Sequence, residues 1–283
     1  MSLSIIILYS PDRRNQLYQA LNCLADLKLF SDCEVIICVD GKNNIDVPYK
    51  VVEVPRNYKF FCWGDAIEIG LKNSKYQQIL YIDSDRILPI NFLFDLKENM
   101  GDKNFCFPKR LFQFKKNQDI SVIKNVRDNF DNYKDLVFED SRVYSHPLHA
   151  IRRKNPLSGC VGFTKEGYYS SGGFDKSFVG WGFPDIDFFM TLHQKKYNFI
   201  PIDCNELHLS HPYYNFNYMF KNNRSLVRLM GLFNGLKFCK KWKIPVHDSI
   251  KLSANEMNIN VKDVGDNLKN FLHKFNQHQI KLI

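Results

Sequence analysis

Short apolar runs alternate with helically spaced apolar residues through the first hundred positions of the chain. The runs have the length and composition of strands buried on both faces. They cover residues 3–9, 33–39, 51–54 and 79–82. Leucines recur at helical spacing from Leu17 to Leu27, and residues 63–71 repeat that spacing. Strands that alternate with helices predict an α/β fold with a mostly parallel sheet and right-handed crossovers.

The pattern changes after residue 100 and becomes regular again near residue 157. Between these points basic, asparagine and aromatic residues mix without a clear period, which favours an insertion over the rest of the fold. Further on, a strand is predicted at 157–163 and helices at 186–193, 219–237 and 268–275. We therefore divide a single domain into four segments. They are 1–100, the insertion 101–156, a second ordered segment 157–215 and a C-terminal helical extension 216–283.

The composition is that of a globular protein with reduced cysteines. A hydrophobic content of 45% is enough for a buried core and argues against disorder. The first apolar run is far shorter than the ~20 residues needed to cross a bilayer, and no cationic leader precedes it. The eight cysteines are scattered without a CxxC pair, which is typical of core cysteines rather than of a disulfide or zinc framework. We therefore expect a soluble cytoplasmic protein, with peripheral membrane contact left open.

The net charge of +9 raises the alternative of a nucleic-acid-binding protein. No zinc-finger, helix-turn-helix or RNP pattern accompanies the basic clusters. A positive surface that attracts anionic donors, acidic glycans or lipid headgroups explains the charge equally well. The charge by itself therefore does not distinguish these classes, and no nucleic-acid partner is expected.

Carboxylates follow two of the predicted strands. Asp40 ends the second run, and Asp83 and Asp85 directly follow the fourth. Ligands of open α/β sheets bind outside the carboxyl ends of the strands. Two carboxylates at i and i+2 can divide the work at a diphosphate: one reaches a divalent cation, and the other contacts the ribose or an ordered water. A solvated turn is the alternative, since a second Asp-x-Asp occurs at 185–187, but the apolar lead-in at 79–82 favours function.

A second motif is more specific. Residues 172–187 read GGFDKSFVGWGFPDID, which resembles the GGFDxxFxGWGxED-x-D signature of a galactosyltransferase-type C-terminal segment. That segment occurs in β-1,4-galactosyltransferases and chondroitin-polymerase-like enzymes. Residues 1–100 likewise resemble inverting glycosyltransferases with the GT-A fold. The resemblance covers 1–100 and roughly 155–215, and it implies a Rossmann-like single domain with a nucleotide-sugar half followed by an acceptor-binding and catalytic half.

The resemblance implies roles for individual residues of both halves. Asp85 would be the metal ligand, Asp83 would act on the donor side, and Asp40 would lie near the nucleoside. Trp181 and Gly182 would shape the pocket for the sugar and the acceptor. A buried turn packed around the tryptophan is the alternative explanation for this string.

The end of the same motif carries the implied catalytic base. Asp185 falls where the family places that base. Asp187, about 200° further around an ideal helix, is a candidate for a structural or acceptor-binding role. Pro184 stands where the family usually has Glu, which removes a carboxylate expected to bind a sugar hydroxyl. This departure leaves open the donor or acceptor specificity that the resemblance implies.

Two histidines complete the implied metal site. The resemblance places a metal-binding histidine at His211, and His208 falls where some relatives use another ligand. Imidazole complements a carboxylate for a transition-metal ion such as Mn²⁺. His146 and His149 have the same spacing, so only the position after the tryptophan motif distinguishes His211.

These observations predict a metal-dependent glycosyltransferase of the hexosyltransferase type. It would use Mn²⁺ or Mg²⁺ to transfer a sugar from a nucleoside-diphosphate donor, with UDP expected, to a carbohydrate hydroxyl, with inversion and with Asp185 as base. Three alternatives stay open: an inactive glycan-binding relative, which Pro184 favours, a basic nucleic-acid-binding protein, and a nucleotidyltransferase. The last shares the scaffold and the metal–phosphate chemistry but leaves Gly180-Trp181-Gly182 unexplained.

Overall fold

A computed structural model of the protein describes most of the chain. The described residues are 2–26, 32–41, 45–55, 62–139, 159–180, 182–211, 224–246 and 248–256. Trp181, His146, His149 and the helix expected at 268–275 lie outside them.

The strands of the described residues form one nine-stranded sheet. They are β1 (Leu3–Tyr9), β2 (Cys33–Asp40), β3 (Lys50–Val54), β4 (Gln78–Asp83), β5 (Arg86–Ile87), β6 (Asn104–Phe114), β7 (Val137–Glu139), β8 (Cys160–Thr164) and β9 (Asn198–His208). The four apolar runs of the first hundred residues correspond to β1 to β4, so these predicted strands are confirmed. The strand predicted from residue 157 is seen as β8.

The strand order is β3-β2-β1-β4-β8-β6-β9-β5, with β7 paired to β6. Strand β1 pairs in parallel with β2 and β4, and β2 pairs in parallel with β3. Strand β8 runs antiparallel to β4 and β6, whereas β6 and β9 are parallel. The α/β class is confirmed, and the parallel strands around β1 bring the carboxyl ends of β1, β2 and β4 to one edge.

Helices cover the sheet. Those in the described residues are α1 (Arg14–Ala25), α2 (Trp63–Asn73), α3 (Ile90–Asn99), α4 (Ile120–Asp128), α5 (Lys165–Ser171), α6 (Pro184–Gln194), α7 (Arg224–Trp242) and α8 (Asp248–Glu256). Among the described residues, the 3₁₀ turns Pro11–Arg13 and Phe130–Leu136 each join a helix to a strand.

Strand β1 lies at the centre of the core, and all seven of its residues are buried. Ile5 and Ile7 pack with α1 and α3 on one face of the sheet, whereas Ile6 and Leu8 pack with α2 on the other. Helix α2 lies so close that a Cβ on Gly70 would come within 2.6 Å of Ile6 Cγ2. Full burial of each such side chain contributes about 1.5–3 kcal/mol. The strands that end in the aspartates are therefore anchored in a tightly packed core.

Strand β6 lies within the segment that the sequence set apart as an insertion. It pairs with β9 and β8 in the middle of the sheet, and Phe105 and Cys106 are fully buried. Its apolar run is broken at Pro108, where the register with β9 shifts before Arg110. The proline and the basic residues after it concealed the strand, because they interrupt the period-2 pattern.

The C-terminal part of the described chain is helical, as predicted. Helix α7 packs on α8 through Leu232, Leu236 and Ile250. Within the described ranges, no helix combines the length and the apolar character needed to span a membrane.

Candidate functional site

Asp85, His208 and His211 converge at the edge of the sheet, and we call them the metal cluster. Asp85 Oδ2 lies 3.4 Å from His208 Nε2 and 3.2 Å from His211 Nε2, and the two Nε2 atoms are 3.1 Å apart. The local fold explains the convergence. Strand β5 pairs with the end of β9, which sets Arg86 opposite His208. The backbone N–H of Leu209 also donates to the Asp85 carbonyl oxygen at 2.8 Å.

The chemistry of the metal cluster fits a divalent cation. A carboxylate with imidazole nitrogens suits a transition-metal ion, and each ligand must be unprotonated to bind. Burial, with Arg86 adding to it, lowers the pKa of His208 to about 4. Burial alone would raise the pKa of Asp85, but its electrostatic interaction and hydrogen bond with His208, a hydrogen bond from His211 and the charge of Arg86 hold it well below its usual value. Both side chains are therefore kept in the form that coordinates a metal.

Asp83 lies beside the metal cluster and is tied to the end of β4. Its Oδ1 accepts a hydrogen bond from the Tyr81 hydroxyl at 2.9 Å, and its backbone N–H donates to Gly159 O at 2.8 Å. Burial and the neighbouring charge of Asp85 raise the pKa of Asp83 to about 7. A carboxyl of this kind can carry a proton or a charge near neutrality.

Asp185 lies near the same strand end. It is half-buried in the first turn of α6, and Pro184 precedes it in that turn. Burial raises the pKa of Tyr81 well above its usual value, and the charges of Asp83 and Asp185 add to the effect. Tyr81 is therefore hydrogen-bonded to the predicted donor-side carboxylate and close enough to the predicted base to respond to its charge.

Asp40 ends β2 and is fully buried. In the parallel register its neighbour Val39 pairs with Tyr9, and Asp83 pairs with Leu8 on the other side of β1. Asp40 and Asp83 thus end strands on either side of β1 at the same edge of the sheet, as the strand pattern predicted. Their roles toward a nucleotide stay predictions.

Asp187 is the most enclosed carboxylate of the 172–187 motif, with 1% of its surface exposed. Its Oδ2 lies 2.7 Å from Lys241 Nζ, and its Oδ1 accepts a hydrogen bond from Trp242 Nε1 at 2.8 Å. Both partners belong to α7. The contacts support the structural role considered for Asp187, and an acceptor contact stays a prediction.

Three charged residues of the site were not predicted from the sequence. Arg86 is buried directly after Asp85, with Nε 3.6 Å from Asp85 Oδ1 and Nη1 3.7 Å from Glu206 Oε1. Arg13 Nε lies 3.8 Å from Asp85 Oδ2, and its buried Nη1 has no hydrogen-bond partner among the described residues. Glu206 stands two positions before His208, so both side chains project from the same face of β9. That spacing is the one signal the sequence offered.

Comparison with solved structures identifies the fold. The chain aligns with glucosyl-3-phosphoglycerate synthase from Mycobacterium tuberculosis, in complex with Mn²⁺, UDP and glucosyl-3-phosphoglycerate. The TM-score is 0.55 at 15% identity, over 86% of this chain and 81% of that one. It also aligns with a mannosyltransferase from Pyrobaculum calidifontis in complex with GDP-Man and Mn²⁺. There the TM-score is 0.50 at 12% identity, over 97% and 73% of the two chains.

The chain has the GT-A fold. A mutant of Drosophila β-1,4-galactosyltransferase 7 in complex with manganese, UDP-Gal and xylobiose is also similar, with a TM-score of 0.44 and 13% identity over 71% of this chain. The chain spans 65% of that protein, which is less than two thirds of its length. No protein-family model and no curated protein sequence matches the chain. At these identities the likeness concerns the fold, and the activity has to be argued from the site.

Proposed function

We propose that this GT-A chain is a metal-dependent glycosyltransferase that transfers a hexose from a nucleoside-diphosphate donor to a carbohydrate hydroxyl. The convergence of Asp85, His208 and His211 beside Asp83 carries the proposal. In a GT-A fold the carboxyl edge of the parallel strands is where a ligand binds. Three metal-binding atoms at that edge would hold a cation that assists cleavage of the bond between the sugar and the diphosphate.

Each residue of the site has a defined task in this reaction. Asp85, His208 and His211 would hold Mn²⁺ or Mg²⁺, which when bound neutralises the negative charge on the departing diphosphate. Asp83, held by Tyr81, contacts the donor. Arg13 has a buried N–H beside Asp85 that finds no acceptor in the described part of the chain, which suits a phosphate oxygen.

Asp185 is the proposed general base. A sugar hydroxyl is a poor nucleophile until its proton is being removed, and a carboxylate within hydrogen-bond reach accelerates that step by about 10²–10⁴-fold. Attack by the activated hydroxyl on the anomeric carbon, with departure of the diphosphate from the opposite face, inverts the configuration. UDP is the proposed nucleotide, and Trp181 and Gly182 are the proposed walls of the sugar pocket.

Free thiols bear on where the reaction takes place. All eight cysteines are free, and seven of them are buried. Thiols persist in reducing compartments. We therefore place the proposed activity in the cytoplasm.

An inactive sugar-binding relative is the second candidate, because Pro184 replaces the expected glutamate. Pro184 is the first residue of α6, where its fixed φ and missing N–H are favourable. The proline thus has a structural explanation that does not require loss of catalysis. The two candidates differ in turnover of the donor.

A panel of nucleotide sugars with and without Mn²⁺ tests the proposal. The correct donor at 100 times its Kd raises the free energy of unfolding by about 2.7 kcal/mol, which a thermal shift detects. Release of the nucleoside diphosphate in the presence of oligosaccharide acceptors then measures transfer. Binding without turnover would favour the sugar-binding relative, and full turnover in EDTA would contradict the metal-dependent mechanism.

A further inference from the structure

Helix α7 holds both ends of the turn that leads to Asp185. The Asn234 side chain is fully buried, and its Nδ2 donates to Val179 O at 2.9 Å and to Gly182 O at 3.0 Å. One amide group thus joins the carbonyl oxygens of Val179 and Gly182. We call residues 179, 180 and 182–185 the Asp185 turn.

The Asp185 turn contains a strained residue just before α6. Phe183 has a φ of 73°, in the left-handed region that a bulky side chain rarely adopts. Such strain persists only where the surrounding structure enforces it, and it concentrates at functional sites. Helix α7 supplies the enforcement: the ring of Phe183 lies 5.3 Å from the ring of Phe238, and a Cβ on Gly235 would lie 3.0 Å from Phe183 Cε2.

Charged contacts anchor the same helix on either side of the Asp185 turn. Lys241 Nζ lies 2.9 Å from Asp175 Oδ2 before the turn and 2.7 Å from Asp187 Oδ2 after it. Lys237 Nζ also donates to Ser177 O at 3.1 Å. Together with those of Asn234 and Phe238, these contacts connect α7 to described residues of the motif on both sides of Asp185.

We infer that α7 is a positioning element for Asp185 and that Asn234 is its positioning residue. The inference rests on the proposed function, since it takes Asp185 as the base. The metal cluster is carried by the β4–β5 turn and by the end of β9. Loss of the Asn234 bonds is therefore expected to impair the attack of the acceptor while it spares the binding of metal and nucleotide.

The test substitutes Asn234 by Asp, which keeps the size but replaces the amide donor with a carboxylate oxygen that cannot donate to the two carbonyl oxygens. Amide hydrogen exchange in the full-length variant should quicken over residues 183–190 and stay unchanged in β1 and β4. At saturating donor, kcat should fall by about 100-fold, the loss typical of a small misplacement near the reacting atoms, while the Kd for Mn²⁺ with UDP stays unchanged. Asn99→Asp is the matched control, because the Asn99 Nδ2 donates within α3, to Asp95 O at 2.7 Å, and the side chain is exposed; it should keep both the exchange pattern and kcat.

The outcomes separate this inference from the proposed function. Unchanged exchange in α6 of the folded Asn234→Asp protein would overturn the positioning role, and so would faster exchange with an unchanged kcat. A native protein that turns over no donor would instead remove the proposed function.

A second pair of variants decides the matter if Asn234→Asp does not fold. Phe183→Gly and Phe183→Ala lose the same ring, but only glycine adopts a positive φ without strain. Because the geometry at residue 183 is held for catalysis, Phe183→Gly should retain a higher kcat than Phe183→Ala. Equal kcat values in the two folded variants would contradict the inference.

Discussion

The metal cluster and the Asp185 turn serve neighbouring points of one site, but different parts of the fold hold them in place. The metal cluster is carried on strand ends, and the pairing of β5 with β9 brings its three residues together. The Asp185 turn is irregular backbone with positive φ angles at Gly180, Gly182 and Phe183. It is held by α7, whose Asn234 lies 55 positions after Val179. Sheet geometry can therefore position a metal site by itself, whereas a base on a turn needs support from outside.

Substitution of Asp85 should have the largest effect, because it disrupts the metal cluster on the strand ends. Asp85→Asn removes the carboxylate shared by both histidines, and kcat/KM should fall by at least about 1000-fold, in line with the several kcal/mol that a metal ion supplies. Release of the nucleoside diphosphate measures it. Asp203→Asn, an exposed acid on β9, is the control and should stay near native activity. Near-native activity of the Asp85→Asn variant would show that catalysis does not depend on the metal cluster.

Substitution of Asp185 tests the role of the Asp185 turn, which α7 supports. Asp185→Asn keeps the size and loses the basicity, so kcat should fall by about 10²–10⁴-fold while nucleotide-sugar binding with Mn²⁺ stays nearly normal. Asp187→Asn should instead lower the free energy of unfolding by about 1–3 kcal/mol, because it weakens the buried contact to Lys241. Near-native turnover in Asp185→Asn together with a large loss of kcat in Asp187→Asn would reverse the two roles.

His211 sharpens the definition of the metal cluster. His211→Ala should raise the Mn²⁺ concentration for half-maximal activity by more than about 100-fold, above the 10–100-fold loss typical of residues that only support a ligand. Its thermal transition without metal should stay close to that of the native protein. A metal-dependence curve that coincides with the native one would return His211 to a structural role.

Glu206 should show the smallest effect, since it acts through Arg86. The buried Arg86 guanidinium contacts the carboxylates of both Asp85 and Glu206. Glu206→Gln removes one of these negative charges, so Arg86 should interact more strongly with Asp85. The apparent affinity for Mn²⁺ should fall by about 10-fold, as for other residues behind a ligand. Titration of metal against activity measures the change, with Asp203→Asn as the matched acid on the same strand. Equal metal affinities in the two variants would limit Glu206 to a role in stability.

The described residues show where the sequence was informative about the fold. The strands before Asp40 and Asp83 were predicted because a buried parallel strand is a continuous apolar run, and such a run depends on few neighbours. Strand β6 was not predicted, because Pro108 and the basic residues after it obscure its pattern, and only its place between β8 and β9 makes it a strand. Arg86 and Glu206 were not predicted as site residues either, because their pairing depends on the contact of β5 with β9.

The sequence by itself determined the α/β class, the aspartates at the strand ends and the order of Asp85, His208 and His211 along the chain, because these follow from local patterns and short motifs. Only the tertiary structure decided that the three ligand atoms meet within 4.8 Å of one another. It also decided that Asp187 faces Lys241 and that Asn234 closes the turn before Asp185. These contacts join residues more than 50 positions apart, and the packing of a whole helix sets their geometry, which no local pattern encodes.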